Sequence, residues 1–213
     1  SMPYQVRLTS GSVRKDETKK KEIDVKYDFY DEFASREVNL SYVPLGIAKG
    51  LYLYLEKYPY GCSEQITSAA YPYLFPDILK ETGKARSEAE EAVNNAVSVL
   101  QSRQKADGTI GYWTYKSDSY PELDPYYALF LTEARKKGFY VPDAFMDRLL
   151  SALENHAQNE NLGVYARAFS IFVLTQNDSV TASYVEKLKK EADKDDKMSV
   201  AGMYLAASYK MMQ

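Results

Sequence analysis

Cys62, Glu64 and Gln65 stand together in the run Tyr58-Pro59-Tyr60-Gly61-Cys62-Ser63-Glu64-Gln65, and Cys62 is the chain's one cysteine. On a helix, positions i and i+3 lie on one face within side-chain reach. The Cys62 thiol so placed can attack the amide carbon of Gln65 and expel ammonia. The product is an internal thioester, a stored acylating group. Gly61 removes a side chain beside the sulfur and offers the backbone angles that a tight turn into a helix needs. Glu64 lies between the two bonded residues and off their shared face. From there it is expected to accept hydrogen bonds from first-turn backbone donors or to favour the helix N-terminus by charge, an effect of up to about 1 kcal/mol; a proton shuttle is the other role open to it. Without these neighbours, a lone cysteine would read as a small buried hydrophobe.

A thioester is a good acyl donor because thiolate leaves easily. An attacking amine would form an amide at Gln65 and an attacking hydroxyl an ester, each releasing Cys62 as a thiol. Such a group is consumed once, so it is a trap and not an enzyme. Water competes for the same carbon, and apolar surroundings must hold it off. Tyr58, Tyr60, Tyr71 and Tyr73 are near enough in sequence to supply those walls, with plain core packing as their other reading. No cofactor or metal is expected, since one cysteine and one histidine, His156, cannot provide a zinc site. The chain also lacks a Gly-x-Ser-x-Gly elbow and a phosphate-binding glycine loop.

The elements that would position this chemistry fall into two parts. Residues 1–43 alternate at period two through Tyr4, Val6 and Leu8, then Ile23, Val25, Tyr27 and Phe29, then Val38, Leu40 and Tyr42. That pattern predicts short half-buried strands of a flanking domain, too few for a core of their own. From Pro44 onward the period lengthens, and residues 44–213 read as one helical domain. A helix is predicted over 44–58, ending before Pro59, and another from about Cys62, interrupted at Pro72 or Pro76. Apolar stripes at Ala89, Val93, Ala96 and Leu100, at Phe145, Leu149, Leu153 and His156, and at Tyr165, Phe169 and Phe172 predict three more. Further helices are expected over about 121–137, 179–193 and 198–212, with Gly83, Gly138 and Gly163 marking ends. Helices joined by short loops indicate stacked hairpins, an all-α array.

Length and charge bound the partners. At 213 residues the chain can bury a substantial core, and a net charge of −3 gives no reason to expect nucleic-acid binding. Lys19-Lys20-Lys21 is followed at once by Glu22 and Asp24, which reads as a solvated turn or strand end. No apolar stretch approaches the roughly 18 residues that span a bilayer. Ser1-Met2 reads as a cloning remnant, so the lack of a leader says little about where the parent protein resides. Twenty tyrosines are the compositional oddity, many of them interrupting helical stripes.

The string Tyr58 to Gln65, continued by Ile66-Thr67-Ser68, closely resembles the Gly-Cys-x-Glu-Gln thioester region of bacterial α2-macroglobulins, relatives of the complement thioester proteins. The run Gln104-Lys105-Ala106-Asp107-Gly108-Thr109-Ile110-Gly111-Tyr112-Trp113 resembles the Gln-x-x-Asp-Gly-x-x-Gly-x-Trp turns of α/α toroids, the architecture of terpenoid cyclases and prenyltransferases, with a weaker echo at Gln158 to Gly163. In that turn Asp-Gly supplies tightness, the second glycine allows close backbone approach, and Trp113 is expected to anchor the loop. The resemblance implies an α/α toroid, an incomplete ring preceded by a β segment, from a far larger periplasmic or cell-surface protein. It also implies a Cys62–Gln65 thioester, supported by Gly61 and Glu64, that acylates lysine amines of an attacking protease once a bait region is cut. In some complement relatives a histidine of another hairpin steers the thioester toward hydroxyls. His156 does not clearly match that position and reads as a packed core residue, so direct reaction with amines is expected. Two other functions stay open: a binding or scaffolding toroid without the thioester, and a toroid enzyme acting on carbohydrate or isoprenoid. The second needs an acidic cluster, which Asp193, Asp195 and Asp196 imitate, although Lys194 and Lys197 between and after them make the segment read as a solvated linker.

Overall fold

The computed structural model describes residues 61–179, 181–192 and 200–213. The expected β segment, the 44–58 helix, Tyr58, Tyr60 and the Asp193, Asp195, Asp196 cluster lie outside the described residues. The helices are α1 (Ser63–Ala70), α2 (Pro76–Thr82), α3 (Arg86–Ser102), α4 (Asp124–Lys136), α5 (Asp143–Gln158), α6 (Val164–Gln176), α7 (Ala182–Ala192) and α8 (Val200–Met211). A 3-10 turn, Tyr71–Leu74, lies between α1 and α2. Among the described residues the sole β pairing is an isolated bridge between Gln104 and Ile110.

Local chemistry sets these boundaries. Pro72 cannot continue the α1 hydrogen-bond ladder, and the backbone tightens there into the 3-10 turn before Phe75 extends and Pro76 opens α2. In α3 the carboxylate of Glu88 reaches back to accept the backbone N–H of Ala85 at 2.8 Å, satisfying one of the donors a helix start leaves free. The expected stripe of Ala89, Val93, Ala96 and Leu100 is fully buried. Gly83 ends α2 in the left-handed conformation and Gly138 follows α4 in another, whereas Gly163 opens α6.

Alternate helices touch. The row α1, α4, α6, α8 packs side by side, while α3, α5 and α7 pack behind its members. This division into an inner and an outer row is the architecture of an α/α toroid. Helix α6 is enclosed within the inner row, with Ala166, Ala168, Phe169, Ser170, Ile171, Val173 and Leu174 all buried. Its small residues let neighbours approach on several sides. The predicted Tyr165, Phe169 and Phe172 stripe meets α8, where the Phe169 ring stacks on Tyr204 at 4.5 Å with an interplanar angle of 3°. Each large apolar side chain so buried contributes roughly 1.5–3 kcal/mol against chain entropy. Between α4 and α5, Arg135 donates to the carbonyl of Val141 at 3.1 Å and to Asp143 at 2.8 Å, closing the hairpin.

Candidate functional site at the start of the first inner helix

Cys62 is the N-cap of α1 and has no exposed surface. Its extended backbone turns the thiol back over the first helical turn, where Sγ accepts the backbone N–H of Gln65 at 3.4 Å. Gln65 returns the contact, its Oε1 accepting the backbone N–H of Cys62 at 3.3 Å. This reciprocal arrangement is a capping box with sulfur in the place of the usual hydroxyl. It sets both side chains across one turn of backbone, and it points an N–H at the oxygen on which charge would grow if the Gln65 carbonyl carbon were attacked.

The turn from Gln104 to Trp113 packs directly on this helix start. Ser63 donates its backbone N–H to Tyr112 O at 2.8 Å and its hydroxyl to Gly111 O at 2.7 Å. Arg103 adds contacts from its guanidinium to Ser63 Oγ at 3.2 Å and to Tyr112 O at 3.4 Å. Two glycines make the loop feasible. Gly108 has φ +86°, and a Cβ there would lie 2.2 Å from Arg148 O; at Gly111 a Cβ would lie 1.9 Å from Thr114 O. Asp107 accepts from the backbone and hydroxyl of Thr109, which fixes the tight turn.

Trp113 does not anchor this loop as expected. Its side is 50% exposed and touches Tyr112 edge-on at 5.5 Å. The anchors are Ile110, which is buried, and Gln104, whose amide donates to Phe145 O at 3.0 Å and accepts from Arg148 Nε at 2.8 Å. A short apolar side chain and a two-sided amide reach the helices from the turn, so the bulky indole is left on the surface.

Glu64 stands in the first turn of α1, where its charge acts on the helix N-terminus, and among the described residues its hydrogen bond goes to a side chain instead of a backbone donor. Its carboxylate accepts the Ser68 hydroxyl at 2.7 Å, one turn along its own helix, and Ser68 Oγ is 2.9 Å from Tyr126 OH. The first-turn donor is already taken by Cys62 Sγ, which leaves Glu64 to a side-chain partner. Gly61 shows no need for its missing side chain among the described residues: a Cβ would sit 3.8 Å from Ile66 Cδ1, an ordinary contact. Tyr71 stacks against Tyr126 at 6.0 Å and lies 5.8 Å from Phe130, where burial pushes its phenol up to about 12. Tyr73 is buried in the core with Ala70 and Leu74.

Two aromatic residues that the sequence reading passed over as parts of this site are Tyr112, whose carbonyl accepts the Ser63 N–H, and the buried Tyr127. The Cys62 side chain first, and then burial, push the Tyr112 phenol up to about 12. Tyr127 is 1% exposed, and its phenol is raised by burial first and then by Asp124, Cys62 and Glu64.

His156 faces another group. Its Nε2 is 3.7 Å from Oδ2 of the fully buried Asp124. Burial pushes the Asp124 carboxyl up to about 7 against the opposing hydrogen bond from Ile110 N at 2.9 Å, and burial lowers the imidazole. Asp124 Oδ2, Tyr127 OH and His156 Nδ1 are buried without a hydrogen-bond partner. Among the described residues no three His, Cys, Asp or Glu side chains group to hold a metal, and no helix is long and apolar enough to cross a membrane.

No protein-family model matches the chain. It is 31% identical to the alpha-2-macroglobulin of Rickettsia conorii over 206 residues, which are 91% of this chain and 11% of that protein. The chain belongs to the bacterial alpha-2-macroglobulin family. Its fold matches Salmonella alpha-2-macroglobulin reacted with methylamine, with a TM-score of 0.69 and 22% identity over 77% of this chain and 12% of the other. The trypsin-activated alpha-2-macroglobulin of Escherichia coli gives 0.65 and 21% over 73% and 12%. The chain thus spans about a tenth of the length of the macroglobulins it matches.

Proposed function

We propose that this chain is the thioester-bearing helical region, residues 44–213, of a bacterial macroglobulin that acts outside the cytoplasm as a covalent protease trap. Cys62 Sγ attacks Gln65 Cδ, ammonia leaves with the proton of the thiol, and the resulting thioester is held until a lysine amine of a captured protease displaces the sulfur. The reading rests chiefly on the reciprocal capping of Cys62 and Gln65, which brings the two reacting side chains to one turn of α1. Complete burial of Cys62 supports it, since a thioester persists only where water is kept from the carbonyl carbon. The family relationship supplies the setting, and one matched Salmonella relative was studied after reaction with methylamine.

The protein is a single-use acylating agent in this reading. A hydrolase would need a base to regenerate its nucleophile, and the Asp124–His156 pair is engaged with Ile110 and the core instead. The test is intact mass of the freshly purified full-length parent, which should be one ammonia lighter than its sequence and carry no titratable thiol. Labelled methylamine should then map to Gln65 and free Cys62 together. A parent of full sequence mass, with a free Cys62 and no amine uptake, overturns the trap and leaves a non-covalent scaffold.

A further inference from the structure

We infer that Arg103 is a positioning residue for thioester formation, fixing the start of α1 so that Cys62 meets Gln65; the inference rests on the thioester reading above. Arg103 stands at the end of α3, where its backbone N–H donates to Val99 O at 3.2 Å and to Leu100 O at 3.1 Å. From that base its Nη1 donates to Ser63 Oγ at 3.2 Å and to Tyr112 O at 3.4 Å. The Ser63 hydroxyl donates in turn to Gly111 O at 2.7 Å, and the Gly111 N–H donates to Arg103 O at 3.0 Å. The end of α3, the turn and α1 thus close a ring of hydrogen bonds at the residue that follows Cys62.

This ring calls for a side chain that only donates. Ser63 Oγ gives its hydrogen to Gly111, so it offers lone pairs to Arg103, and Tyr112 O is an acceptor throughout. The turn has other anchors on its far side: Gln104 binds Phe145 O and Arg148 of α5, and Ile110 N–H donates to Asp124 of α4. Arg103 reaches the opposite way, to a fully buried serine in the first turn of α1. Without its donors the turn stays fastened to α4 and α5, while the start of α1 loses one of its ties. Thioester formation joins Sγ to Cδ, breaks the carbon–nitrogen bond and releases ammonia with the thiol proton; Arg103 exchanges no proton. The rate of such a step follows how closely the reacting atoms are held in line, and a displacement of about 1 Å can cost on the order of a hundredfold. Arg103 acts on that alignment through Ser63, whose backbone N–H and hydroxyl both fasten the helix start to the turn.

A positioning role and a merely structural one give different patterns in the full-length parent. Arg103→Met keeps the stem and removes the donors. About tenfold fewer chains should then be one ammonia lighter than their sequence, with labelled methylamine at Gln65 reduced in the same proportion. Arg103→Lys should recover much of that loss, because both contacts come from one nitrogen and an ammonium can supply it. Glu191→Gln, which weakens the chain at its ion pair with Arg167, should keep the bond. A parental yield of ammonia-lighter protein from Arg103→Met overturns the inference. So does a lysine variant no better than the methionine one, since the donors would then not be what counts. Loss of the bond in Glu191→Gln to the same degree as in Arg103→Met also overturns it, because bond formation would then follow overall stability. Full mass in the unsubstituted parent is a different failure, that of the thioester reading itself.

Discussion

Ser63 donates its backbone N–H to the carbonyl of Tyr112 at 2.8 Å. That bond joins the residue after Cys62 to the end of the Gln104–Trp113 turn, so two segments far apart in sequence form one structural unit. The hydroxyl of Ser63 repeats the link one residue earlier, on Gly111. The variable position of the thioester motif is thereby the one that docks it. Whatever disturbs the turn also disturbs the start of α1 and the alignment of Cys62 with Gln65.

Gly111→Ala tests that dependence. The new Cβ would meet Thr114 O at 1.9 Å and Ser117 Oγ at 3.0 Å, and the first of these is backbone that a side-chain rotation cannot relieve. The turn must open, carrying the two acceptors of Ser63 with it. A loss of about 1–3 kcal/mol is expected from the forced shift, read as a lower midpoint in thermal or urea denaturation of the purified chain. In the full-length protein the same change should reduce methylamine uptake at Gln65. An unchanged midpoint would mean that the turn yields freely.

Gln104→Glu asks whether the turn is held by its amide. The Gln104 NH2 group donates to Gly108 O at 3.1 Å and Phe145 O at 3.0 Å, and a carboxylate can donate to neither. The Arg148 contact would survive and gain charge. Two carbonyls facing an acceptor outweigh that gain, and a net loss of about 1–2 kcal/mol is expected in denaturation. Gln104→Ala should cost less than Gln104→Glu, because it removes the bonds without adding repulsion.

Much of the helical array was legible because burial imposes a period. Ala89, Val93, Ala96 and Leu100 repeat at helical spacing for the same reason that they are buried: one face of α3 meets the core. Pro72 and Pro76 marked the 3-10 turn and the start of α2 because a ring nitrogen has no hydrogen to donate. The motif likewise located Cys62 at a helix start. Tyr112 and Arg103 were not legible, since their proximity to Cys62 comes from loop packing that leaves no local period. Trp113 misled through size: large apolar side chains are usually anchors, yet the small turn gives an indole no route inward, and Ile110 and Gln104 do the holding. For Glu64, the loss of the backbone-capping alternative was not legible because the competing acceptor is the sulfur of Cys62, an unusual atom for a cap.

The ion pair of Arg167 with Glu191 should be unequal in its two halves. Arg167 is 2% exposed and donates to Glu191 Oε2 at 2.6 Å, whereas the Glu191 side chain is 38% exposed. Removing Glu191 leaves a buried guanidinium with the carbonyl of Ala157, at 3.5 Å, as its remaining partner among the described residues. Removing Arg167 leaves a carboxylate that water can reach. Glu191→Gln is therefore expected to destabilise by about 1–3 kcal/mol, a range reduced from that of a fully buried pair because solvent screens the glutamate. Arg167→Met, which fills the site with apolar volume, should cost less. The comparison is made by urea denaturation of both variants, and a larger loss for Arg167→Met would show that the pair stabilises through the arginine's packing.

Asp124 should make stability fall as pH rises. Its carboxyl is pushed from 3.8 to about 7 in the folded chain, by burial first, with the Ile110 N–H pulling the other way. A raised acid holds more protons folded than unfolded, so folding is favoured at low pH and that advantage is lost between about pH 4 and 7. His156, lowered by burial, acts in the opposite sense: its contribution is present above its ordinary value near 6.5 and is lost as pH falls below it. The two are separated by Asp124→Asn. The amide oxygen keeps the Ile110 bond, the group no longer titrates, and His156 stays in place. Denaturation of parent and variant across pH 4 to 8 should therefore give a stability difference that is small at the acid end and grows in the variant's favour until about pH 7, then levels. A difference that stays flat over that range would mean that the buried carboxyl ionises at its ordinary value, with the solvent access that implies.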